Sequence, residues 1–276
     1  MARRHPSVRR GGRVIRGVRI EVARALVRVS LLTAMQYRAS FVAEILVGGL
    51  SAFGVAAPLF LVYARVSELQ GWTLDQALLV TGFFLLYNGF VSGFLEPNLG
   101  AIVDGVRSGA LDYLLIRPVD AQLLLSVRRV APVAIWELLA GFLVLGVSLG
   151  RLGEPSVASM ALAALLFVSG LAATYGLWLM VICTSFWFVR VDNLRFLLGA
   201  VSDAGRWPVS VYGRGIRIAL TTVIPVALVS SYPAMALLDR LDVSLVAGAL
   251  GTAAAMLVVS RMVLMRALRS YSSASS

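Results

Sequence analysis

Two uncharged apolar segments constrain this chain more than any other feature. Residues 45–64 and 76–95 each run for 20 residues without a charged side chain, and about 20 apolar residues is the length that an α-helix needs to cross a bilayer. Backbone groups in the hydrocarbon region must be hydrogen-bonded within the protein, which leaves helices and closed barrels as spanning structures. The sequence therefore predicts an all-α integral membrane protein.

Composition and charge agree with a lipid environment. Only 14% of the 276 residues are charged and mean hydropathy is +0.86, whereas about a quarter of the residues of a soluble domain are charged. The net charge of +11 comes from arginine, because the chain has no lysine. These arginines form short clusters between apolar blocks, where the positive-inside bias and lipid headgroups favour them. We therefore expect membrane lipid, and no nucleic acid, as a partner.

Residues 13–35 have the pattern of an amphipathic interfacial helix. Apolar side chains recur every three or four residues from Ile15 through Val22 to Val29, and arginines occupy the opposite side. The first 28 residues hold nine arginines against one glutamate, so we expect the helix to lie on an anionic cytoplasmic leaflet. A basic tail without fixed structure is the alternative.

Six spans with both termini in the cytoplasm fit the distribution of arginine best. Four arginines lie in 96–129, which the positive-inside rule places in the cytoplasm. If 196–212, 218–238 and 243–260 all crossed, the count would be seven and the arginines after residue 260 would lie outside. One of the first two therefore does not cross. Hydropathy alone favours 218–238 as the span, although Pro225 and Pro233 interrupt it.

Motifs for independent chemistry are missing from the sequence. A P-loop needs a lysine, and the chain has none. The single cysteine, Cys183, and the single histidine, His5, exclude a disulfide within the chain and a Cys/His metal cluster. We predict no catalytic, cofactor-binding or metal-binding residue, and no enzyme activity in this chain alone.

Four short motifs occur in a specific order. Residues 104–118 read DGVRSGALDYLLIRP, 207–212 read WPVSVY, 224–226 read IPV and 231–234 read SYPA. Together they resemble the ABC-2 type permeases, in particular a bacterial six-span subfamily with a G-x-L-D-x-L-L-x-R-P pattern in its cytoplasmic loop. The resemblance covers nearly the whole chain.

The resemblance implies a single transmembrane domain over 1–276. Its spans would be 41–64, 76–95, 130–150, 157–188, 194–212 and 243–265, with 96–129 as a cytoplasmic coupling loop. An outer re-entrant segment would occupy 213–240, and prolines would mark this element: Pro208, Pro225 and Pro233. On this basis we predict 194–212, rather than 218–238, as the fifth span.

The resemblance also implies partners and a function. A separate cytoplasmic ATPase subunit would bind ATP and magnesium and dock on the loop, and this chain would hold no cofactor. The permease would pair with a second permease chain in the bacterial cytoplasmic membrane and export a hydrophobic or amphipathic substrate. Charged and apolar side chains suit the loop for that docking: Asp104, Arg107, Leu111, Asp112, Leu115, Arg117 and Pro118.

Charged residues inside predicted spans are costly in a bilayer and are functional candidates. Glu137 interrupts 130–150, and Asp203 and Arg206 lie in 194–212. We predict that these three line a substrate path at the interface between permease chains. Asp203 and Arg206 are three residues apart, so an ion pair on one helix face is the simpler explanation for that pair.

Three other functions are compatible with parts of the sequence. A stand-alone ion- or proton-coupled secondary transporter usually shows repeated halves with broken helices, and no convincing repeat is present. A CDP-alcohol phosphatidyltransferase would need more aspartates for its metal ions than Asp104 and Asp112. A membrane scaffold without transport is the third alternative.

Overall fold

The protein is described from a computed structural model, which covers residues 38–108, 120–126, 131, 134–187 and 192–270. The helix predicted at 13–35 lies outside these residues. The α-helices are α1 (Arg38–Tyr63), α2 (Leu74–Phe90), α3 (Glu96–Ser108), α4 (Ala121–Ser126), α5 (Ile135–Leu152), α6 (Val157–Cys183), α7 (Asp192–Ser202), α8 (Arg214–Ile218), α9 (Val226–Val229), α10 (Ser231–Leu237) and α11 (Val243–Ser270). Within the described ranges the regular elements are helical.

Five helical stretches are long and apolar enough to cross a membrane: α1, α2 with α3, α5, α6 and α11. A sixth is counted if the bent pair Arg214–Val223 and Val226–Leu237 forms one span. The predicted multi-pass, all-α architecture is thereby confirmed at this level.

The second stretch is longer than predicted. A π-helical turn, Val91–Leu95, joins α2 to α3, so the helix continues past residue 95 to Ser108. Burial explains the continuation, because Leu95, Leu99 and Ile102 are almost fully covered. The buried amide of Asn98 is also satisfied on the helix, where its Nδ2 donates to the Phe94 carbonyl at 2.7 Å. The first 13 residues of the predicted loop 96–129 are therefore helical.

Several connections meet at one end of the bundle, which we call the Trp72 end. Three hydrogen bonds join them there: Trp72 with Ser210, Arg240 with Gly71, and Ser159 in the first turn of α6 with Asp239. At the opposite end, the Arg261 end, α4 contacts α6 and α11. The helices α6 and α11 therefore run between these two ends.

Residues 194–212 do not form one continuous helix, in contrast to the predicted fifth span. The α-helix ends at Ser202, 3-10 turns follow at Asp203–Arg206 and Val209–Val211, and Trp207 is extended. Eleven residues of α-helix extend for only about 16 Å. Pro208 lacks an amide hydrogen and disfavours helical backbone in the preceding residue, which explains the break.

The predicted segment 213–240 is a bent pair of helices. The two arms meet at 76° next to Pro225. Arg217 in the first arm contacts Ser210, and Arg240 after the second arm contacts Gly71, so both arms have their outer ends at the Trp72 end. Pro233 is the third residue of α10, in the first turn, where a missing amide hydrogen is tolerated.

Glycines set the closest helix contacts. A Cβ atom on Gly82, Gly89 or Gly141 would lie 2.7–2.9 Å from a leucine of the facing helix, so α2 and α5 pack at short distance. Gly146 and Gly150, four residues apart in α5, are also candidates for such a contact by spacing. The structure places no atom within 4 Å of either Cβ position among the described residues.

Candidate functional site

A cavity of about 590 Å³ lies between α2, α3, α5, α6 and α7. Its walls combine carboxylates, small polar groups and aromatic rings: Tyr87, Asn88, Val91, Ser92, Glu96, Glu137, Trp178, Phe196, Gly199, Ala200, Ser202 and Asp203. Both its volume and its mixed lining are typical of small-molecule sites.

Glu137 lies in this cavity and is held by a neighbouring hydroxyl. Its Oε2 accepts a hydrogen bond of 2.6 Å from Ser92 Oγ. The carboxylate belongs to the first turn of α5, where the helix dipole favours negative charge. The side chain is therefore oriented from both sides, by the start of α5 and by the π-helical turn after α2.

The π-helical turn places Ser92 opposite Glu137. Such turns interrupt the regular ladder and are frequent at functional sites. Here the Gly93 carbonyl accepts a hydrogen bond of 2.9 Å from the Ala131 amide, which precedes α5. A Cβ on Gly93 would lie 2.5 Å from Ala134, so this close approach requires glycine.

Asp203 and Arg206 are paired with each other. Arg206 Nη2 is 3.1 Å from Asp203 Oδ2, and Arg206 Nε donates to the Asp203 carbonyl at 3.0 Å. Asp203 lines the cavity, whereas Arg206 does not. The structure therefore brings Glu137 and Asp203 to one cavity, and Arg206 contributes only as the partner of Asp203.

Glu96 is a cavity residue that sequence reasoning missed. The sequence places Glu96 at the start of a cytoplasmic loop, but the helix continues through this residue. Ser92 and Glu96 therefore line the same cavity. Their spacing of four residues, which puts both on one helix face, is the signal that could have identified it. Three carboxylates thus face the cavity, and among the described side chains Asp203 is the one paired with a guanidinium.

The cavity suits a ligand that combines charge with apolar surface. Trp178, Tyr87 and Phe196 supply aromatic area, and the carboxylates accept hydrogen bonds or a positive charge. Among the described residues, no three His, Cys, Asp or Glu side chains are close enough to hold a metal ion.

Only part of the predicted coupling loop is described. Asp104 is exposed on α3, and the backbone of Arg107 lies in the same helix. The other five predicted residues lie outside the described ranges: Leu111, Asp112, Leu115, Arg117 and Pro118.

The segment directly after this loop is attached to two long helices. Arg261 of α11 forms a bidentate ion pair with Asp120, with Nη1–Oδ1 at 3.0 Å and Nη2–Oδ2 at 2.5 Å. Arg261 Nη1 also donates to Gln122 Oε1 at 3.1 Å. The Tyr175 hydroxyl of α6 is 3.1 Å from Gln122 Nε2 and 2.6 Å from Ser126 Oγ. We call these five residues the α4 anchor.

Comparison with known families identifies the chain. A family model described as "ABC-2 family transporter protein" matches residues 53–275, which is most of the sequence. The chain belongs to the ABC-2 transporter family. This confirms the resemblance drawn from the motifs. No curated protein and no solved structure gives a match.

Membership of the ABC-2 family defines the general role. The chain is a permease component of an ABC transporter, a transmembrane subunit rather than the ATPase itself. Permeases of this family generally work with an ATPase subunit. Together with the membrane-capable helices, the family indicates a multi-pass membrane protein.

Proposed function

We propose that this ABC-2 permease is the translocating subunit of an ATP-driven exporter, in which a separate cassette subunit drives the movement of a hydrophobic or amphipathic substrate. The Arg261 end faces the cytoplasm and the Trp72 end faces outward in the bacterial cytoplasmic membrane. The α1–α2 and α5–α6 connections together hold one arginine, Arg65, against four in 96–129, and this difference supports the orientation. Two permease chains form the complete translocation path.

The α4 anchor is the observation that carries the proposal. A cassette that pulls on the loop before residue 120 also pulls on Asp120, and the ion pair with Arg261 passes that force to α11. Tyr175 passes it to α6. These two helices pack along their length through Gly176, whose Cβ would lie 2.8 Å from the Met256 carbonyl oxygen. A movement of the loop therefore reaches helices that span the membrane.

The cavity is the proposed site where substrate first binds. Glu137 and Glu96 lie at the junction of α2 with α3, and α3 leads directly into the coupling loop. A displacement of α3 changes the width of this cavity. Trp178 of α6 forms part of its wall, so α3, which leads into the loop, and α6, which the α4 anchor contacts, both border the bound substrate.

The bent pair is the proposed re-entrant element at the outer side. Both of its arms begin or end at the Trp72 end, so it enters the bundle and returns. Its bend packs on α6, where Gly170 meets the backbone of Leu228. It thus closes the outer end of the path while the cavity at the inner half is open.

The test is to separate ATP hydrolysis from export by breaking the α4 anchor. The permease is purified with the cassette subunit that accompanies it and reconstituted into liposomes, where ATP hydrolysis and efflux of a panel of hydrophobic fluorescent dyes are measured. Arg261→Gln is expected to retain at least half of the hydrolysis and to lose export at least tenfold. The ion pair is half-exposed and contributes only about 0.2–1 kcal/mol to stability, so the variant is expected to fold.

Arg266→Gln provides the matched control, because Arg266 is an exposed arginine on the same helix outside the α4 anchor. The double variant Asp120→Arg with Arg261→Asp restores the pair with reversed charges and is expected to recover export. Normal export by Arg261→Gln would exclude the α4 anchor as the route of coupling.

A further inference from the structure

A second pocket, of about 440 Å³, lies at the Trp72 end, between the α1–α2 connection and the bent pair. Two arginines, Arg217 and Arg240, line it together with Trp72, and Met235 and Leu245 add apolar surface. It is separate from the acidic cavity and has no carboxylate in its lining. Charge and apolar surface therefore meet in one concave site.

A tight turn builds the Trp72 side of this pocket. Leu69 and Trp72 exchange backbone hydrogen bonds of 2.9 and 3.1 Å across a two-residue loop. Both loop residues have positive φ, 50° at Gln70 and 82° at Gly71, as a type I′ turn requires. The turn directs the Gly71 carbonyl toward Arg240, whose Nη1 donates to it at 2.9 Å.

Trp72 holds both the turn and the guanidinium of Arg240 in position. Its indole Nε1 donates to Ser210 Oγ at 2.8 Å, and the ring is almost fully buried. The guanidinium carbon of Arg240 lies 5.6 Å from the ring centroid, within the range of a cation–π contact. The position of Arg240 is therefore set by two contacts, and neither neutralises its charge.

Arg217 reaches the same pocket from α8. Its Nη2 contacts the carbonyl oxygens of Ser210 and Tyr212 at 3.2 and 3.4 Å. A guanidinium has five N–H donors, so both arginines have donors left after these contacts.

Three carboxylates at this end of the bundle are engaged elsewhere. Asp75 pairs with Arg151 at 3.1 Å, Asp239 accepts from the Ser159 hydroxyl at 2.6 Å, and Asp242 accepts from the Val243 amide at 2.8 Å at the start of α11. Among the described residues, Arg217 and Arg240 form no ion pair with any of them. Within the part of the chain that the structure describes, two positive charges thus face one pocket without an ion-pair partner.

We propose that this pocket binds an anionic phospholipid, with its phosphate between Arg217 and Arg240 and an acyl chain along Met235 and Leu245. Guanidinium groups match phosphate oxygens in geometry and charge. A free inorganic anion would leave Met235 and Leu245 uncovered, whereas a lipid contacts both the arginines and these apolar side chains. The inference goes beyond export and does not depend on ATP hydrolysis, because it concerns lipid bound to the permease itself.

Lipid binding to the purified protein tests the proposal. The protein is delipidated in mild detergent and titrated with dioleoyl phosphatidylglycerol or, as the zwitterionic probe, dioleoyl phosphatidylcholine. Bound lipid is counted by native mass spectrometry and melting temperature is recorded in parallel. The wild type is expected to bind phosphatidylglycerol at least tenfold more tightly than phosphatidylcholine. Arg217→Gln with Arg240→Gln is expected to abolish that preference.

Two further variants make the result specific to the pocket. Arg214 is an exposed arginine of α8, like Arg217, but does not line the pocket. The variant Arg214→Gln is therefore expected to bind lipid like the wild type. Leu245→Glu adds a carboxylate at an exposed position of the lining, leaves the arginine contacts intact, and is expected to weaken binding at least tenfold. Equal binding by the wild type and the double arginine variant would overturn the proposal. So would complete displacement of lipid by millimolar inorganic phosphate, which would indicate a small-anion site.

Discussion

Replacing Gly170 by alanine tests the packing of the bent pair against α6. The added Cβ would lie 2.8 Å from both the carbonyl carbon and the carbonyl oxygen of Leu228. Ordinary contact begins at about 3.4 Å, so backbone would have to move by about 0.6 Å. Overpacking of this kind costs about 1–3 kcal/mol, and a rigid backbone neighbour favours the upper part of that range.

The expected result is a lower melting temperature. The preference of alanine for helix offsets about 1 kcal/mol of this cost. For a chain of this size, 1 kcal/mol corresponds to about 2–4 °C, so Gly170→Ala should melt about 2–8 °C below the wild type in detergent. Gly146→Ala is the matched control, because no atom lies within 4 Å of its Cβ position and alanine favours helix by about 1 kcal/mol. It should melt at or above the wild-type temperature. If the two variants melted alike, the contact between α6 and the bent pair would be refuted.

Three further predictions concern single polar groups. Trp72→Phe removes the hydrogen bond to Ser210, which is worth about 0.5–1.5 kcal/mol, and should lower the melting temperature by about 1–6 °C; an unchanged value would refute the bond. Asp203→Asn should change stability by less than about 1 kcal/mol, because the Asp203 side chain is more than half exposed; a much larger fall in melting temperature would contradict that interpretation. The Ser244 hydroxyl and the adjacent amide hold the pKa of Asp242 below its usual value, so its stabilisation of α11 is present at neutral pH and fades as the pH falls through that lowered pKa. In Asp242→Asn the melting temperature should therefore depend less on pH in the acid range. A pH profile identical to that of the wild type would refute the stabilising role of the Asp242 carboxylate.

The fold class and family could be predicted because they depend on features that are local in sequence. Uncharged segments of span length at 45–64 and 76–95 indicate membrane helices whatever surrounds them. The details of the second span could not be predicted, because Glu96 ends the apolar run but not the helix. Burial of Leu95 and Leu99 stabilises its continuation, and burial depends on neighbours that are distant in sequence.

The fifth predicted span shows the same limitation in another form. Hydropathy and resemblance gave opposite choices between 194–212 and 218–238, and the structure divides both segments into short helices. Short helices with proline at their ends are stable there because the buried segment Val226–Val229 packs on α6. This stabilisation comes from tertiary contacts, so neither the length nor the hydropathy of the segment reveals it.

The candidate site could be predicted only in part. Glu137 and Asp203 stood out because a charge in a span is unusual, and both line the cavity. Ser92 is an ordinary residue for a span, and its contact with Glu137 joins residues 45 positions apart. The α4 anchor joins Asp120 to Arg261 over 141 positions, so no spacing rule could have found it.

Identification of the partner tests the central claim most directly. The chain is tagged, extracted from the membranes of its native host in several mild detergents, and analysed by mass spectrometry for proteins that remain bound. The account predicts a cassette ATPase in stoichiometric amount, which is lost on Asp112→Arg or Arg117→Glu in the predicted coupling loop and retained on Arg266→Gln. Recovery of the chain without any ATPase in all detergents would contradict the proposed exporter and would favour a transporter that works alone.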